Sequence, residues 1–274
     1  MLVLRATEAL GRCHDYWHES SRLLHLSMQG ILGLRRRPAI LKMISDIDHT
    51  LGRTPDDNSA ELEEATTVAG WAEKERDNGF PLLHAHTVVG LWGALEAAIE
   101  DMLVGILCEE PERLQKEPFS KVRISISDFE QLDKEQRMRL LFDELQRSTG
   151  GGQKYGADKF EGLLDRFGLS GPLDPEIKKD MREIHHVRNV IVHRASRADR
   201  RLVEGCPWMG LHVGDLVTVS HEAFARYFVA LEDYLGIITL RLGLRYQMDQ
   251  SKALGHLPER VKGVYQQMLE NAQE

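Results

Sequence analysis

Three side chains near the end of one amphipathic segment could do chemistry together: Arg188, Asn189 and His193. On a helix, at about 100° per residue, Asn189 and His193 are surface neighbours, and Arg188 lies about 140° from His193. Histidine transfers protons near neutral pH, while arginine keeps its charge and its planar fork matches phosphate oxygens. The set therefore suits cleavage of RNA without a metal ion, in which a 2′-hydroxyl attacks its own phosphate.

Each of these three residues has an expected role in that reaction. We expect His193 to transfer a proton, Arg188 to bind the phosphate, and Asn189 to orient either partner or to bind the phosphate. An Arg and a His at this spacing also occur by chance. A surface pair without a catalytic role is therefore the alternative for Arg188 and His193.

Two acidic residues on an earlier helix could support the site. Glu96 and Glu100 lie one helical turn apart, and either could orient Arg188 from a facing helix. A carboxylate facing a guanidinium holds it by charge and by hydrogen bonds. A solvated helix face is the alternative for both acids.

Basic residues follow His193 directly. Arg194, Arg197 and Arg200, with Arg201 next to them, could hold phosphates of RNA beside the cleft. A solvated loop is nearly as good an interpretation. His185 and His186 could add RNA contacts, but a core or surface role is the better prediction for each.

The sequence predicts neither a metal ion nor a cofactor. His84, His86 and Cys206 are not completed by a matched pair of ligands, so we expect structural histidines there. The glycines of Gly150–Gly152 are not followed by the Lys-Ser/Thr pair of a phosphate-binding loop, and they indicate a flexible linker.

Composition sets limits on how the chain could contact RNA. The 274 residues carry a net charge of −8, and 42% of them are hydrophobic. Proteins that grip long stretches of nucleic acid are usually basic, so contact with RNA must be local here. Three scattered cysteines, no apparent signal peptide and no apolar run long enough for a membrane span predict a soluble, cytoplasmic protein without a membrane partner.

Helical periodicity runs through most of the chain and predicts an all-α bundle. We expect the motif helix to begin with the N-cap Asp174 and Pro175 and to end near Arg194. A small β-hairpin, Leu211–Val219, is predicted to turn at Gly214-Asp215 before the last long helix. The other expected helices cover about Ala6–Gly30, a segment from Pro38 that includes Ile47, Glu61–Lys74, Pro81–Leu107, Leu132–Gln146, Asp158–Phe167 and Ser220–Leu244.

Three regions are expected along the chain. Residues 1–79 form an N-terminal helical extension that ends at Asn78-Gly79, and residues 80–248 form the helical domain that carries the motif. Residues 249–274 form a polar helical tail.

The segment Arg188-Asn189-Val190-Ile191-Val192-His193 resembles the R-N-x-x-x-H form of the Rx4–6H motif of HEPN (higher eukaryotes and prokaryotes nucleotide-binding) domains. The order of elements is similar too: a long early helix with Leu95-Glu96-Ala97-Ala98-Ile99-Glu100, intervening helices, the motif helix and a closing helix. The resemblance covers about Phe80–Leu244.

That resemblance implies a metal-independent endoribonuclease that works as a homodimer with a composite active site. Its products would be a 2′,3′-cyclic phosphate and a 5′-hydroxyl, and its role that of a toxin or a phage-defence effector, with an antitoxin or defence-system partner. In one HEPN subgroup the motif extends to R-x4-H-x-Y. Ala195 occupies the tyrosine position here, which argues against control by modification at that site.

A non-enzymatic function is the second hypothesis. Some proteins of this kind use the helical scaffold only for binding, and the polar face of the motif helix would then be a dimer or partner surface.

Overall fold

The computed structural model describes residues 4–52, 58–125, 129–148, 154–248 and 262–263. These residues are mostly helical, and the part of the chain that they cover contains no strand beyond one isolated antiparallel bridge. The all-α prediction is confirmed at that level. The helices are α1 Leu4–Leu34, α2 Arg37–Thr50, α3 Ser59–Asn78, α4 Pro81–Glu109, α5 Lys134–Ser148, α6 Ala157–Leu164, α7 Pro175–Arg194, α8 Arg200–Gly205 and α9 His221–Arg245.

The connections contain short 3-10 helices where the sequence predicted loops or helix ends. They cover Pro111–Gln115, Phe119–Lys121, Asp165–Phe167 and Pro207–Met209. The linker predicted at Gly150–Gly152 lies outside the described residues. So does the tail 249–274, apart from residues 262–263.

The chain divides into two compact units. The motif unit comprises the described residues within Met1–Trp17, Val88–Val217 and Arg226–Glu274. The second unit comprises His18–Thr87, where described, and Thr218–Ala225. This division does not coincide with the expected boundary between residues 79 and 80.

The start of α1 belongs to the motif unit because its side chains reach α4 and α5. The indole nitrogen of the fully buried Trp17 donates a hydrogen bond to the Leu91 carbonyl oxygen at 2.9 Å. Arg12 forms an ion pair with Asp101 at 3.1 Å, and Arg5 forms one with Glu135, also at 3.1 Å. These contacts between distant parts of the chain attach the start of α1 to the motif unit.

Helix α4 lies at the centre of the motif unit's core. Its apolar residues cover a wide face, so it can be enclosed from several directions. Leu91, Trp92 and Leu95 are fully buried. Large aromatic side chains of the neighbouring helices are also fully buried: Phe142, Phe160, Tyr227 and Tyr234.

The second unit contains a buried histidine that contacts a second histidine and an aromatic ring. His84 is fully buried, and its Nε2 lies 3.4 Å from Nδ1 of His221. Its ring also packs on Phe224 with centroids 5.0 Å apart. Burial, and then the neighbouring His221, lower the pKa of His84, which favours the neutral ring.

The β-hairpin predicted at Leu211–Val219 is not confirmed. Its turn is present, with Gly214 at φ 96°, but the two arms do not pair with each other. The segment bonds instead to the chain that follows α7: Val217 N donates to Ser196 O at 2.8 Å, and Ala198 N donates to Asp215 O at 2.9 Å. The backbone N–H and C=O groups of this segment thus find hydrogen-bond partners outside it. The residue pattern within the segment does not reveal those partners.

The described helices include none with the length and apolar character needed to cross a membrane.

Candidate active site

The motif lies in the last two turns of α7, a helix with well-formed ends. The Asp174 side chain accepts hydrogen bonds from the backbone N–H groups of Glu176 at 2.8 Å and Ile177 at 3.4 Å, and Pro175 occupies the first helical position. At the other end, Ala195 and Ser196 adopt positive φ values of 49° and 60°. The helix therefore stops directly after the motif.

Apolar residues on one side of α7 bury this helix in the motif unit. Ile184, Val187 and Val190 are each at most 1% exposed, as the periodicity predicts, while Ile191 is only partly buried. The opposite arc carries the polar motif residues. Their positions are thus fixed by the packing of the same helix.

A buried ionic network attaches the middle of α7 to α9. Glu183 accepts hydrogen bonds from Arg226 at 2.6 Å, from Tyr227 at 2.6 Å and from Trp208 at 2.7 Å. Burial alone would raise the pKa of Glu183, but these three donors together lower it below its usual value. A carboxylate with three donors keeps its negative charge, and its hydrogen bonds fix the position of α7 along α9.

Arg188 faces an acid of α4. Its Nη2 lies 3.4 Å from Oε2 of Glu96, and its Nη1 donates to the Asn189 side-chain oxygen at 3.0 Å. The Arg188 side chain is only 26% exposed, and its Nε is buried without a hydrogen-bond partner in the part of the chain described. The guanidinium is therefore held by two fixed partners.

The two acids predicted to support Arg188 have different partners. Glu96 contacts Arg188 and also accepts a hydrogen bond from Lys159 of α6 at 2.8 Å. Glu100 accepts a hydrogen bond from Arg139 of α5 at 2.8 Å. Glu96 and Glu100 lie one turn apart on α4 and face different helices. The structure brings Glu96 to Arg188 and Glu100 to Arg139.

Asn189 links Arg188 to His185, for which the sequence favours a core or surface role. While its oxygen accepts from Arg188, its Nδ2 lies 3.0 Å from Nε2 of His185. An amide nitrogen can only donate, so Nε2 of His185 is the acceptor and its ring is neutral. The i, i+4 spacing of His185 and Asn189 was the available indication of this contact.

His185 is neutral over the physiological pH range. Burial, then the neighbouring His186 and Lys159, lower the pKa of His185 from 6.5 to about 4. Its ring meets Trp92 edge-on at 5.6 Å. The chain of contacts Arg188–Asn189–His185 thus runs from an ion pair into a buried neutral imidazole.

Tyr155 approaches α7 because the next residue is a glycine. Gly156 has φ 60°, and a Cβ there would lie 2.6 Å from the Arg182 backbone nitrogen. The close approach places the Tyr155 ring 4.7 Å from that of His186 and 5.6 Å from that of His185. Burial is the main cause that lowers the pKa of His186.

His193 lies on the wall of a small cleft at the end of α7. The cleft has a volume of about 340 Å³, and His193 itself is exposed. Its imidazole makes no hydrogen bond within the described part of the chain, so both nitrogens can reach a ligand. The remaining lining residues are Tyr155, His185, His186, Asn189, Arg194, Asp199 and Arg201.

The basic residues beyond His193 are placed differently from one another. Arg194 and Arg201 line the cleft. Arg197 contacts the Gly214 carbonyl oxygen at 3.4 Å, and the Arg200 side chain, 84% exposed, pairs with Glu204 at 2.7 Å. Of the four basic residues predicted to hold phosphates, the structure therefore brings Arg194 and Arg201 to the cleft.

Arg188 is absent from the cleft lining, although Asn189 and His193 are both part of it. From their separation of about 140° on the helix, Arg188 and His193 are expected to flank one shared groove. In the isolated chain the guanidinium is turned toward Glu96, and the imidazole faces solvent. The cleft of one chain thus presents the His193 imidazole, the Asn189 amide and the guanidinium groups of Arg194 and Arg201.

Comparison of this chain with models of known protein families, with curated proteins and with solved structures found no match. Across the described residues, no group of three or more His, Cys, Asp or Glu side chains is arranged to hold a metal ion.

Proposed function

We propose that this protein is a metal-independent endoribonuclease of HEPN type that acts in the cytoplasm. The observation that carries the proposal is the R-N-x-x-x-H segment in the last turns of a buried, capped helix, with His193 and Asn189 on a cleft wall. A residue able to move protons and a hydrogen-bonding amide thus share one small polar site.

The reaction follows from those groups. His193 removes the proton of a ribose 2′-hydroxyl, and the 2′-oxygen attacks the adjacent phosphorus. The bond from phosphorus to the 5′-oxygen breaks, that oxygen takes up a proton from solvent, and His193 returns to solvent the proton that it removed. The products are a 2′,3′-cyclic phosphate and a 5′-hydroxyl. Positive charge beside the phosphate stabilises the charge that builds on its oxygens.

Two copies of the chain complete the site in this proposal. Arg188 does not line the cleft of its own chain, while Arg194 and Arg201 do. A homodimer that joins the motif ends of two copies would bring a second set of these groups to the substrate. Its cellular role would be that of a toxin or phage-defence effector, restrained by an antitoxin or a defence-system partner.

The test is cleavage of RNA in EDTA. Wild-type protein should cut it, and His193→Ala should lose roughly 10²–10⁴-fold in rate, the usual contribution of general acid–base catalysis. His212→Ala is the matched control, because the His212 side chain is 90% exposed and lies outside the cleft. RNA carrying a 2′-deoxy group at the cleaved position should stay intact. Undiminished cleavage by folded His193→Ala protein would end the assignment.

One observation favours a non-catalytic helical interaction module as the second candidate. Arg188 is already paired with Glu96, so it needs no phosphate to satisfy its charge. Under this reading the polar end of α7 is a contact surface for a second copy or a partner. Wild-type protein would then leave RNA intact in EDTA, and Arg188→Ala would weaken association without any change in RNA integrity.

A further inference from the structure

Helix α2 in the second unit exposes its apolar side. Ile40, Met43, Ile44, Ile47 and Leu51 are between 45% and 60% exposed, and no residue of α2 is buried. At about 100° per residue these five positions fall within an arc of about 100°, so they form one stripe along the helix. We call these five residues the α2 stripe.

The size of the α2 stripe indicates a binding surface. Five half-exposed side chains present on the order of 400 Å² of apolar area, which is in the size range of the largest apolar patch of a monomeric protein, and such patches are often functional. Stable interfaces bury about 800 Å² per partner, so a surface of this size suits a reversible contact.

The charges around the α2 stripe decide between possible occupants. Helices that lie on membranes carry Lys and Arg across their polar face. Helix α2 instead balances Arg37 and Lys42 with Asp46 and Asp48. The basic residues lie toward its beginning and the acids toward its end, so the helix is complementary to a reversed copy of itself.

We propose that α2 pairs antiparallel with α2 of a second copy of this chain, about a two-fold axis between Met43 and Ile44. In such a pair, the residues along one side of the stripe face the residues along the same side of the stripe in the other copy. Ile40 then lies opposite Ile47. On one flank, Arg37 of each copy lies beside Asp48 of the other.

A parallel pairing would place the basic ends side by side. Arg36 and Arg37 of both copies would meet, and like charges across an interface repel. Arg37 already pairs with Glu61 at 3.0 Å, yet 43% of its side chain remains exposed. A guanidinium has five N–H donors and can serve both acids. The antiparallel arrangement also sets the two helix dipoles in opposite directions.

Sedimentation of the full chain between about 1 and about 100 µM tests the proposal. Wild-type protein should shift reversibly to a species of twice the mass in this range, from monomer to dimer or, where the motif ends of two copies have already joined, from dimer to tetramer. Ile44→Glu and Ile47→Glu should each weaken the association at least about tenfold, because a charge would have to be desolvated in the contact. His49→Glu is the matched control: it introduces a charge at an exposed position on the opposite side of α2.

Cysteine cross-linking reads out the orientation directly. The native residues Cys13, Cys108 and Cys206 are all buried and should not interfere. Under mild oxidation Ile44→Cys should form a disulfide-linked dimer, since positions beside a two-fold axis meet their own copies. A mixture of Ile40→Cys and Ile47→Cys proteins should cross-link faster than either variant alone.

Two results would overturn the pairing. One is a wild-type chain whose mass does not rise over the whole range, which would leave the stripe to another occupant. The other is a rise in mass that is the same in Ile44→Glu and Ile47→Glu as in wild type, which would place that association on a surface other than the α2 stripe. Neither result depends on RNA cleavage, so this proposal and the proposed function can fail separately.

Discussion

Glu96 is the residue whose surroundings say most about how Arg188 is held. It receives Arg188 on one oxygen and Lys159 on the other, so one carboxylate balances two cations from α7 and α6. Without it, both cations would remain close together in a half-buried setting. The guanidinium would then lose the partner that fixes its direction.

Glu96→Gln and Glu100→Gln form a matched pair that tests this role. Glu96→Gln should lower RNA cleavage about tenfold, because a misdirected Arg188 stabilises the developing charge less well. Glu100→Gln breaks an ion pair with Arg139 instead, and it should leave cleavage unchanged while costing no more than about 1 kcal/mol in stability. The cleavage rate is measured with a fluorescent RNA, and the change in stability is measured by urea unfolding. Equal loss of cleavage in the two variants would show that Glu96 has no special role.

His185 makes stability depend on pH in a defined direction. Its pKa is about 4 in the folded chain and 6.5 when unperturbed, so the unfolded state binds its proton first as the pH falls. Stability should therefore be complete above about pH 6.5 and should decline toward pH 4, by no more than about 3 kcal/mol from this residue. Burial lowers the pKa values of His84 and His186 too, and both act in the same direction.

The variant His185→Gln isolates this contribution. Glutamine keeps an acceptor for Asn189 but does not titrate, so urea unfolding should depend less steeply on pH between 6.5 and 4. His212→Gln changes an exposed histidine and should keep the wild-type slope. A slope that is identical in wild type and His185→Gln would contradict the assigned cause.

Spacing predicts the positions of the motif residues on α7, and the sequence offers both Glu96 and Glu100 as partners of Arg188. Asn189 and His193 reach the same cleft, in keeping with their separation by one turn. The direction of Arg188 depends on Glu96, which lies 92 positions earlier in the chain. No local pattern decides that Glu96 and not Glu100 faces Arg188, and none encodes the approach of Tyr155 to His186.

At the scale of elements, the ends of α7 determine where the motif lies. Asp174→Ala should destabilise the motif unit by about 1 kcal/mol, since two N–H groups lose their acceptor. Asp174→Asn retains a side-chain oxygen and should stay within a few tenths of a kcal/mol of wild type. Urea unfolding followed by far-UV circular dichroism measures the difference. If the cap does not contribute to stability, the two variants will have the same free energy of unfolding.

Helices could be predicted more completely than the segment that follows α7. Apolar periodicity and the Asp174-Pro175 start are local properties, so α4, α7 and α9 occur close to where they were expected. The hairpin prediction relied on the turn at Gly214-Asp215 and on the strand-like residues of Leu211–Val219. The structure instead pairs this segment with Ser196 and Ala198, and no residue pattern within the segment reveals those partners.

At the scale of the whole molecule, the start of α1 belongs to a different unit from the rest of that helix. Asn78-Gly79 ends α3 with Gly79 at φ 73°, and the sequence marks that turn clearly. Yet Trp17 is buried in the motif unit, with its indole bonded to the Leu91 carbonyl oxygen. Membership of a unit is decided by such burial, so residues far apart along the chain share one core.

A composite site makes a quantitative prediction for mixed dimers of inactive subunits. Arg188→Ala and His193→Ala proteins should each be inactive alone. If each cleft takes its arginine and its histidine from different copies, a mixed dimer holds one intact site and one site lacking both groups. Random exchange makes half of all dimers mixed, so about a quarter of wild-type activity should return on mixing.

The control for this experiment is the double variant Arg188→Ala/His193→Ala mixed with wild type. Its mixed dimers would contain no intact composite site, so activity should fall below that expected from dilution. If Arg188 and His193 act from the same chain, both outcomes reverse: mixing the single variants restores nothing, and dilution with the double variant spares the wild-type sites. Because Arg188 faces Glu96 and not its own cleft, we expect the first pattern.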